Sequence, residues 1–318
     1  MQVTRKRRTG PSAERSRAVL GQLSDMDLRL LKVFRSVVDC GGMAAAELEL
    51  NIGTSTVSRH IKDLETRLGL VLCRRGRAGF ALTAEGQRVY DATLRLLGSV
   101  DTFRASIDDI HDRMGGRLEI ALFDKTASNP GARIGDAIAR FTDLAPEVHL
   151  SLHIVSLNTI EQGVLDGTFQ IGVIPAHRAS KSLVYDELFR ETMLLYCGAQ
   201  HTLFNSDDKP LTWAALREHP FAGLGYHSPN LELSHRHKLS RKATAFDQEA
   251  VATLILSGKF LGFLPDHYAV AFEERGLMRA IAPNRFRYEC NFVSVLRRSP
   301  APPRAVVAFK ECLIAAHA

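Results

Sequence analysis

Ala44-Ala-Ala-Glu-Leu-Glu-Leu-Asn-Ile-Gly-Thr-Ser-Thr-Val-Ser-Arg-His-Ile-Lys-Asp-Leu-Glu65 is the stretch that decides the fold. Met43 to Leu50 reads as a short helix, Asn51-Ile52-Gly53 as a tight connection, and Ser55 to about Leu68 as a second helix. Gly69 follows, a residue that tolerates the positive φ of a helix end. Ala45, Leu48, Ile52, Val57, Ile61 and Leu64 recur at helical spacing and are expected to fill the angle between the two helices. The exposed face of the second helix begins with Thr54, Ser55, Thr56, Ser58 and Arg59, with Lys62 further along. Short hydroxyls let a helix N-terminus approach phosphates and base edges closely, and Arg59 offers a charged donor fork.

Working outward, Leu70 to Leu82 reads as two short strands around Arg75-Gly76-Arg77-Ala78-Gly79, a hairpin wing with Arg74, Arg75 and Arg77 near its tip. An ordinary helical hairpin with a Ser/Thr-rich cap is the plainer reading, and the arginine-rich wing weighs against it. Upstream, Ser24 or Asp25 can cap a helix that buries Leu28, Leu31, Phe34 and Val38 and stops near Gly41-Gly42. Residues 51–83 carry six Lys or Arg against two acids, a local excess that attracts a polyanion such as double-stranded DNA. Residues 1–23 are also basic, but they lack periodicity and read as a disordered, solvated tail.

Thr83 then caps a long helix reaching nearly to Gly115-Gly116. Along it Leu96, Val100, Phe103, Ile107, Ile110 and Met114 are spaced by 4, 3, 4, 3 and 4 residues. That is a coiled-coil seam, and a second copy of the chain would cover it. Packing of the stripe within its own subunit is the alternative.

From Arg117 the pattern becomes strands alternating with helices. Leu118–Phe123, Val148–Ile154 and Gln170–Ile174 read as strands, separated by helices at Ile134–Phe141 and Ile160–Leu165. This βαβαβ order predicts an open, mainly parallel sheet. A second set, from about Glu191 to Ile281, includes a strand at Met193–Cys197, a helix at Gln248–Ser257 and a strand at Phe260–Leu264. A late strand at Cys290–Leu296 precedes a final helix opened by Pro302-Pro303. The expected organisation is a tail (1–23), a DNA-binding domain (24–83), a linker helix (84–114) and an effector domain (115–318). The last divides into one subdomain at about 117–187 and 286–318 and another at about 188–285.

Ligands of open α/β sheets sit beyond the carboxyl ends of the strands. Thr126, Ser128 and Asn129 follow the first strand, Ser156, Asn158 and Thr159 the second. Tyr226, His227, Phe246 and Asp247 occupy comparable positions in the second subdomain. Hydroxyls, amides and helix N-termini suit a carboxylate or other anion, so the effector is expected to be small and anionic. Ordinary helix capping by Ser, Thr and Asn is the competing account.

The 318 residues, 45% hydrophobic and 24% charged with a net charge of +6, describe a globular chain of about two domains. No apolar run approaches a membrane span and no signal peptide is evident, so a cytoplasmic, DNA-associated protein is expected, with no membrane partner. Five scattered cysteines form no CxxC pair. His235-x-His237 lacks acids or thiols at ligand spacing, so neither metal nor cofactor is expected. Cys197 and Cys290 could sense oxidants but read better as buried strand thiols. No GxSxG, GxxxxGK[ST] or GxGxxG motif occurs, which disfavours an enzyme, and the sensor-like half disfavours a purely architectural DNA-packaging protein.

Met26-Asp-Leu-Arg-Leu-Leu-Lys-Val-Phe34, Thr56-Val-Ser-Arg-His-Ile-Lys-Asp-Leu-Glu-Thr-Arg-Leu-Gly69 and Leu82-Thr-Ala-Glu-Gly86 together resemble the LysR family of transcriptional regulators. Tyr196-Cys-Gly-Ala-Gln-His-Thr-Leu203 and Leu256-Ser-Gly-Lys-Phe-Leu-Gly-Phe-Leu-Pro265 resemble stretches of that family's effector domain. The resemblance implies an N-terminal winged helix-turn-helix, a long dimerising linker helix, and a periplasmic-binding-protein-like α/β sensor of two subdomains. It also implies a homodimer or dimer of dimers on an inverted-repeat operator, with RNA polymerase as a further partner. This chain departs from the pattern at Thr54-Ser55, where the family often has Gln-Pro or Gln-Ser, and at Glu47, which replaces an alanine. His201-Thr-Leu203 replaces the usual His-Pro-Leu.

Overall fold

A computed structural model describes residues 22–76, 79–110, 114–206 and 211–318. The chain divides into two compact units between Leu97 and Gly98.

The N-terminal unit opens with α1 (Asp25–Asp39), α2 (Met43–Leu50) and α3 (Thr54–Leu68), followed by the hairpin β1 (Cys73–Gly76) and β2 (Gly79–Leu82) and the start of α4 (Ala84–Ile110). Ser24, not Asp25, caps α1, in a reciprocal capping box with Asp27. Asn51 ends α2 in the left-handed conformation and Gly69 ends α3 at φ +65°, so the two turns fall where the sequence places them. Leu30, Phe34, Val37, Ala46, Val57, Ile61, Leu64 and Leu72 form the core. The reading of α2 is corrected here. Leu48 is 90% exposed and Ala45 points outward, while Met43, Ala46 and Leu50 face the core. Those three share one helical face, at i, i+3 and i+7, and with only eight residues α2 has no second apolar stripe to offer.

Leu82-Thr-Ala-Glu-Gly86 owes its pattern to close packing. The Thr83 hydroxyl donates to the Val71 carbonyl (2.6 Å) and accepts from the Gly86 amide (2.8 Å), capping α4. A Cβ on Gly86 would stand 2.0 Å from the Leu72 carbonyl oxygen, so no other residue fits without moving the backbone.

The C-terminal unit contains β3 (Gly116–Leu122), a 3-10 turn (Thr126–Ser128), α5 (Ile134–Leu144), β4 (Val148–Ile154), α6 (Leu157–Asp166) and β5 (Ile171–Pro175). There follow β6 (Leu183–Gly198), α7 (Trp213–Leu216), β7 (Pro220–Leu224), α8 (Pro229–Arg236), β8 (Ser240–Ala245) and α9 (Gln248–Leu256). The last elements are β9 (Leu261–Pro265), α10 (Asp266–Glu273), β10 (Met278–Ala280), β11 (Arg287–Arg297) and α11 (Arg304–His317). The sheet order is β4-β3-β5-β11-β6-β9-β7-β8, with β10 beside β6. β3 pairs in parallel with β4 and β5, and β7 with β8 and β9, giving the two α/β halves. Two long antiparallel strands join them: β6 and β11 pair from Arg287↔Leu194 to Arg297↔Leu183, with a bulge at Phe292/Val293. The sequence reading began this strand at Met193 and missed that β6 runs unbroken for 16 residues through both halves. Leu183, Phe189, Met193 and Leu195 are among its buried apolar positions, but the polar run Arg190-Glu-Thr192 hides the strand. The sheet is therefore one continuous surface, with a single core.

Candidate functional site

Two polar surfaces stand out, one in each unit. In the first, α3 turns Val57, Ile61 and Leu64 into the core, each with 0% exposure, and leaves Ser55, Arg59 and Lys62 exposed on the opposite face. Thr54, Thr56 and Ser58 are half-buried at the rim. Gly53 precedes the helix and no side chain caps it. The free amides of a first helical turn carry partial positive charge and suit an anion. Arg59, Lys62 and Arg74 have no ion-pair partner among the described residues. Arg67, by contrast, is bonded to the buried Asp27 at 2.5 Å (Nε–Oδ1) and 3.1 Å (Nη2–Oδ2). That pair holds the Asp27 carboxyl well below its usual range and pins α3 to α1. The Glu65 carboxylate accepts from the amides of Leu72 (2.7 Å) and Cys73 (3.2 Å), which fixes the base of the hairpin. Among the described side chains, Arg67 is thus structural, and Arg59 and Arg74 are unpaired.

Thr54 is a special case. Its hydroxyl donates to the Glu47 carboxylate, so the two departures from the family pattern meet in one hydrogen bond at the mouth of α3. Arg75 pairs with Phe80 through the β1–β2 backbone. Its side chain, and Arg77 entirely, lie outside the described residues, as do residues 1–21 of the basic tail.

On α4 the expected stripe is uneven. Leu96 is half-buried against the N-terminal core and Val100 is half-buried. Phe103 and Ile107 are 66% and 40% exposed. The Ile110 side chain lies outside the described residues, and Met114, beyond the helix, packs on the C-terminal core.

In the C-terminal unit, β3, β4 and β8 end around a cavity of about 340 Å³. Phe123, Asp124, Lys125, Ser156, Phe246 and Asp247 are among its lining residues. Ser156, Phe246 and Asp247 were expected there; Asp124 and Lys125 belong to the same loop as the expected Thr126. Ser156 precedes α6 without capping it, and its hydroxyl lies 2.9 Å from that of Thr159. Asn158, Thr159 and His227 are exposed and do not line the cavity. Thr126 is buried, at 3% exposure. Ser128 and Asn129 face a second cavity of about 760 Å³ beside β6 and α10, where Asn129 also accepts from the Gly131 amide at 2.8 Å. Tyr226 turns into a small interior pocket with Glu191, Gln248, Tyr288 and Cys290.

Contacts across the cleft tie the two halves together. The Gln248 amide at the start of α9 donates to Asp124 Oδ2 at 2.7 Å. Lys125 pairs with Glu249 and lies 4.5 Å from the centre of the Tyr268 ring, and Tyr268 donates to Glu249 at 2.9 Å. Ser128 Oγ lies 3.0 Å from His267 Nδ1, whose Nε2 is 2.9 Å from Glu191 Oε2. Burial pushes the Asp124 carboxyl up to about 6 against the helping Gln248 amide, and it raises Glu191 against the helping His267. Among the described residues around this cleft, four buried side-chain atoms have no hydrogen-bond partner: Asp124 Oδ1, the Tyr226 hydroxyl, Asn230 Nδ2 and Gln248 Oε1. The sequence missed Glu191, Gln248, Glu249, His267 and Tyr268, which lie far along the chain from the loop they meet.

The other candidates resolve structurally. His237 stacks on Trp213 at 3.8 Å, and no group of three or more His, Cys, Asp or Glu among the described residues could hold a metal. Cys197 and Cys290 are buried, and burial pushes the Cys290 thiol up, away from the reactive thiolate. No helix among the described residues is long and apolar enough to cross a membrane.

Comparison with known proteins matches both units. Residues 28–87 match the bacterial regulatory helix-turn-helix protein, lysR family, and residues 111–318 the LysR substrate binding domain. The HTH-type transcriptional activator BauR of Pseudomonas aeruginosa is 38% identical over 294 residues, 92% of this chain and 96% of its own length. GltR, an HTH-type transcriptional regulator of Bacillus subtilis, is 26% identical over 259 residues, 80% of this chain and 85% of its own. The crystal structure of CbnR, a LysR family transcriptional regulator, covers 92% of this chain and 99% of its own at 19% identity, with a TM-score of 0.61. Full-length CbnR complexed with its target DNA gives 0.60 at 21% identity, covering 91% of this chain and 99% of its own. The chain belongs to the LysR family of bacterial transcriptional regulators, with a helix-turn-helix DNA-binding domain and a C-terminal effector-binding domain.

Proposed function

We propose that this regulator dimerises through α4, presents two copies of α3 to the half-sites of an inverted-repeat operator, and changes its grip when a small molecule fills the cleft at Asp124, Ser156 and Asp247. The observation that carries the reading is the α3 face: an uncapped N-terminus with Ser55, Arg59 and Lys62 exposed and unpaired. An unpaired arginine on a helix of this kind reads guanine O6 and N7 in the major groove, and Lys62 and Arg74 hold phosphates. Thr56 and Ser58 sit close enough to the same face to bond phosphate oxygens, and Thr54 acts through Glu47. Arg75 and Arg77 would extend the contact along the wing.

Phe103 and Ile107 are apolar and exposed on one side of α4, which favours a second copy as their cover. Leu96, Val100 and Ile110 continue that stripe. In the sensor, an anionic group of the effector would sit at the N-terminus of α6, near the Ser156 and Thr159 hydroxyls. The remaining expected residues Thr126, Ser128, Asn129, Asn158 and His227 then position loops around that site, and Tyr226 lines the interior pocket beside it.

In this reading the chain is a regulator and not an enzyme. Ser128 Oγ, though close to His267, donates to the Lys125 carbonyl at 3.0 Å and so serves as a link rather than a nucleophile. BauR is by name an activator, which favours activation here too, with RNA polymerase as the further partner. Selection of random duplexes by the full chain tests the proposal. It should enrich an inverted repeat that Arg59→Ala no longer prefers; enrichment of no sequence, or of one the variant binds equally well, would contradict it.

A further inference from the structure

Carboxylates outnumber cationic side chains among the described residues of the proposed cleft. Asp124, Asp247, Glu249 and, just behind Phe123, Glu191 bring four carboxylates, and Lys125 is the one ammonium lining the cavity. That ammonium is taken by Glu249. Asp247 accepts from the Ala250 amide at 2.7 Å and Glu191 faces His267. Asp124 alone is half-satisfied: Oδ2 meets the Gln248 amide, and Oδ1 meets nothing. In the interior pocket that adjoins it, the Tyr226 hydroxyl (7% exposed), Gln248 Oε1 (2% exposed) and Asn230 Nδ2 (1% exposed) are unpartnered.

Buried polar atoms are nearly always paired, and leaving one unpaired costs about 1–3 kcal/mol, more if it is charged. Asp124 Oδ1 and Gln248 Oε1 can only accept, Asn230 Nδ2 can only donate and the Tyr226 hydroxyl can do either, so a ligand that meets them all brings donors as well as an acceptor. A protonated amine brings three donors and the missing positive charge. A nitrogen-free carboxylate brings neither and would set like charges against each other.

Resting on the cleft reading above, we propose that the effector is a zwitterionic amino acid, its ammonium seated on Asp124 with Tyr226 and Gln248, and its carboxylate at the N-terminus of α6. The Asp124 and Ser156 end of this site lies in the cavity of about 340 Å³, and Tyr226 and Gln248 line the small interior pocket on the other side of Phe123, which borders both. Burial pushes the Asp124 carboxyl up to about 6, so its charged form gains from an ammonium beside it.

The test uses the full chain and a matched panel: unbranched amino acids of two to six carbons, the corresponding alkanoates and dicarboxylates, and the corresponding alkylamines. Thermal shift finds binders and calorimetry gives affinities. At least one amino acid should bind, more tightly than its nitrogen-free and its carboxylate-free counterparts. Asp124→Asn should weaken it by at least about tenfold, the size of one charge-assisted hydrogen bond. If that variant folds poorly, Tyr226→Phe, which removes one buried hydroxyl at nearly constant volume, should weaken it in the same direction. A nitrogen-free acid that binds as tightly as its amino counterpart, with Ser156→Ala weakening it, would overturn the amine and leave the cleft standing. Amino acids that bind with affinities untouched by Asp124→Asn, Tyr226→Phe and Ser156→Ala would overturn the cleft itself. Absence of binding by every amine in the panel would also overturn the proposal.

Discussion

The outward face of α3 and the inward cleft between the two α/β halves handle charge in opposite ways. On α3, Arg59 and Lys62 stand in solvent without partners, beside an uncapped helix end. In the cleft, Lys125, Glu249, Glu191 and Asp247 all have partners, and only Asp124 is half-served. Water hydrates an exposed charge at little cost, so a face meant for a polyanion can wait open. A buried charge has no such substitute, so a cleft must be satisfied from within until a ligand takes over. The difference predicts that the DNA face responds to salt and the cleft to chemical identity.

The largest effect should come from the element that doubles the DNA face. Phe103→Asp places a charge in the proposed α4 seam and should abolish dimerisation and operator binding together, read by sedimentation and gel shift. A variant that sediments as the parent does and binds equally well would show that the stripe is covered within one subunit. Next, Arg59→Ala should cost about 1–3 kcal/mol of operator affinity and relax base preference at one position per half-site. Equal loss on all sequences would make Arg59 a phosphate contact instead.

Asp124→Asn sharpens the other side of the comparison. Burial raises the Asp124 carboxyl from 3.8 to about 6 in the folded chain. The folded form thus keeps its proton where the unfolded form has lost it. Its stabilising contribution is fully present below about pH 3.8 and is lost as pH rises through about 6. Without ligand, the amide variant should therefore be more stable than the parent above pH 6, by about 1–3 kcal/mol, with the gain vanishing near pH 4. A gain that does not vary with pH would place its cause elsewhere than in the charge. The smallest effect belongs to Lys62→Ala and Arg74→Ala, which should each flatten the salt dependence of DNA binding by about one unit of slope, with base preference unchanged.

The two surfaces also differ in how far the sequence discloses them. Everything that shapes α3 lies within a few dozen residues. The turn residues Asn51 and Gly69, the core stripe Val57-Ile61-Leu64 and the Thr83 cap all act locally, where periodicity and capping rules apply. Even there, the facing of α2 came out one residue wrong, because Ala44 to Ala46 offers three equal candidates for the core. The cleft is built otherwise. Asp124 meets Gln248 across 124 positions and Ser128 meets His267 across 139. Strand ends could be read from alternation, so Ser156, Phe246 and Asp247 were placed at the cavity. No local pattern announces which distant acid will face which loop. The expectation of an anionic site followed from hydroxyls and helix ends alone, without Asp124, Glu191 and Glu249, which only tertiary pairing brings there. The interrupted alternation of β6, with its polar middle, concealed the strand that joins the halves.

The central claim, that two copies of α3 on one dimer read two half-sites, is tested most directly by stoichiometry on DNA. Sedimentation equilibrium of the full chain with a labelled duplex carrying the selected inverted repeat should give an even number of chains per duplex. Scrambling one half-site should weaken binding at least about 100-fold. A single chain per duplex, bound as tightly to one half-site as to two, would contradict the account.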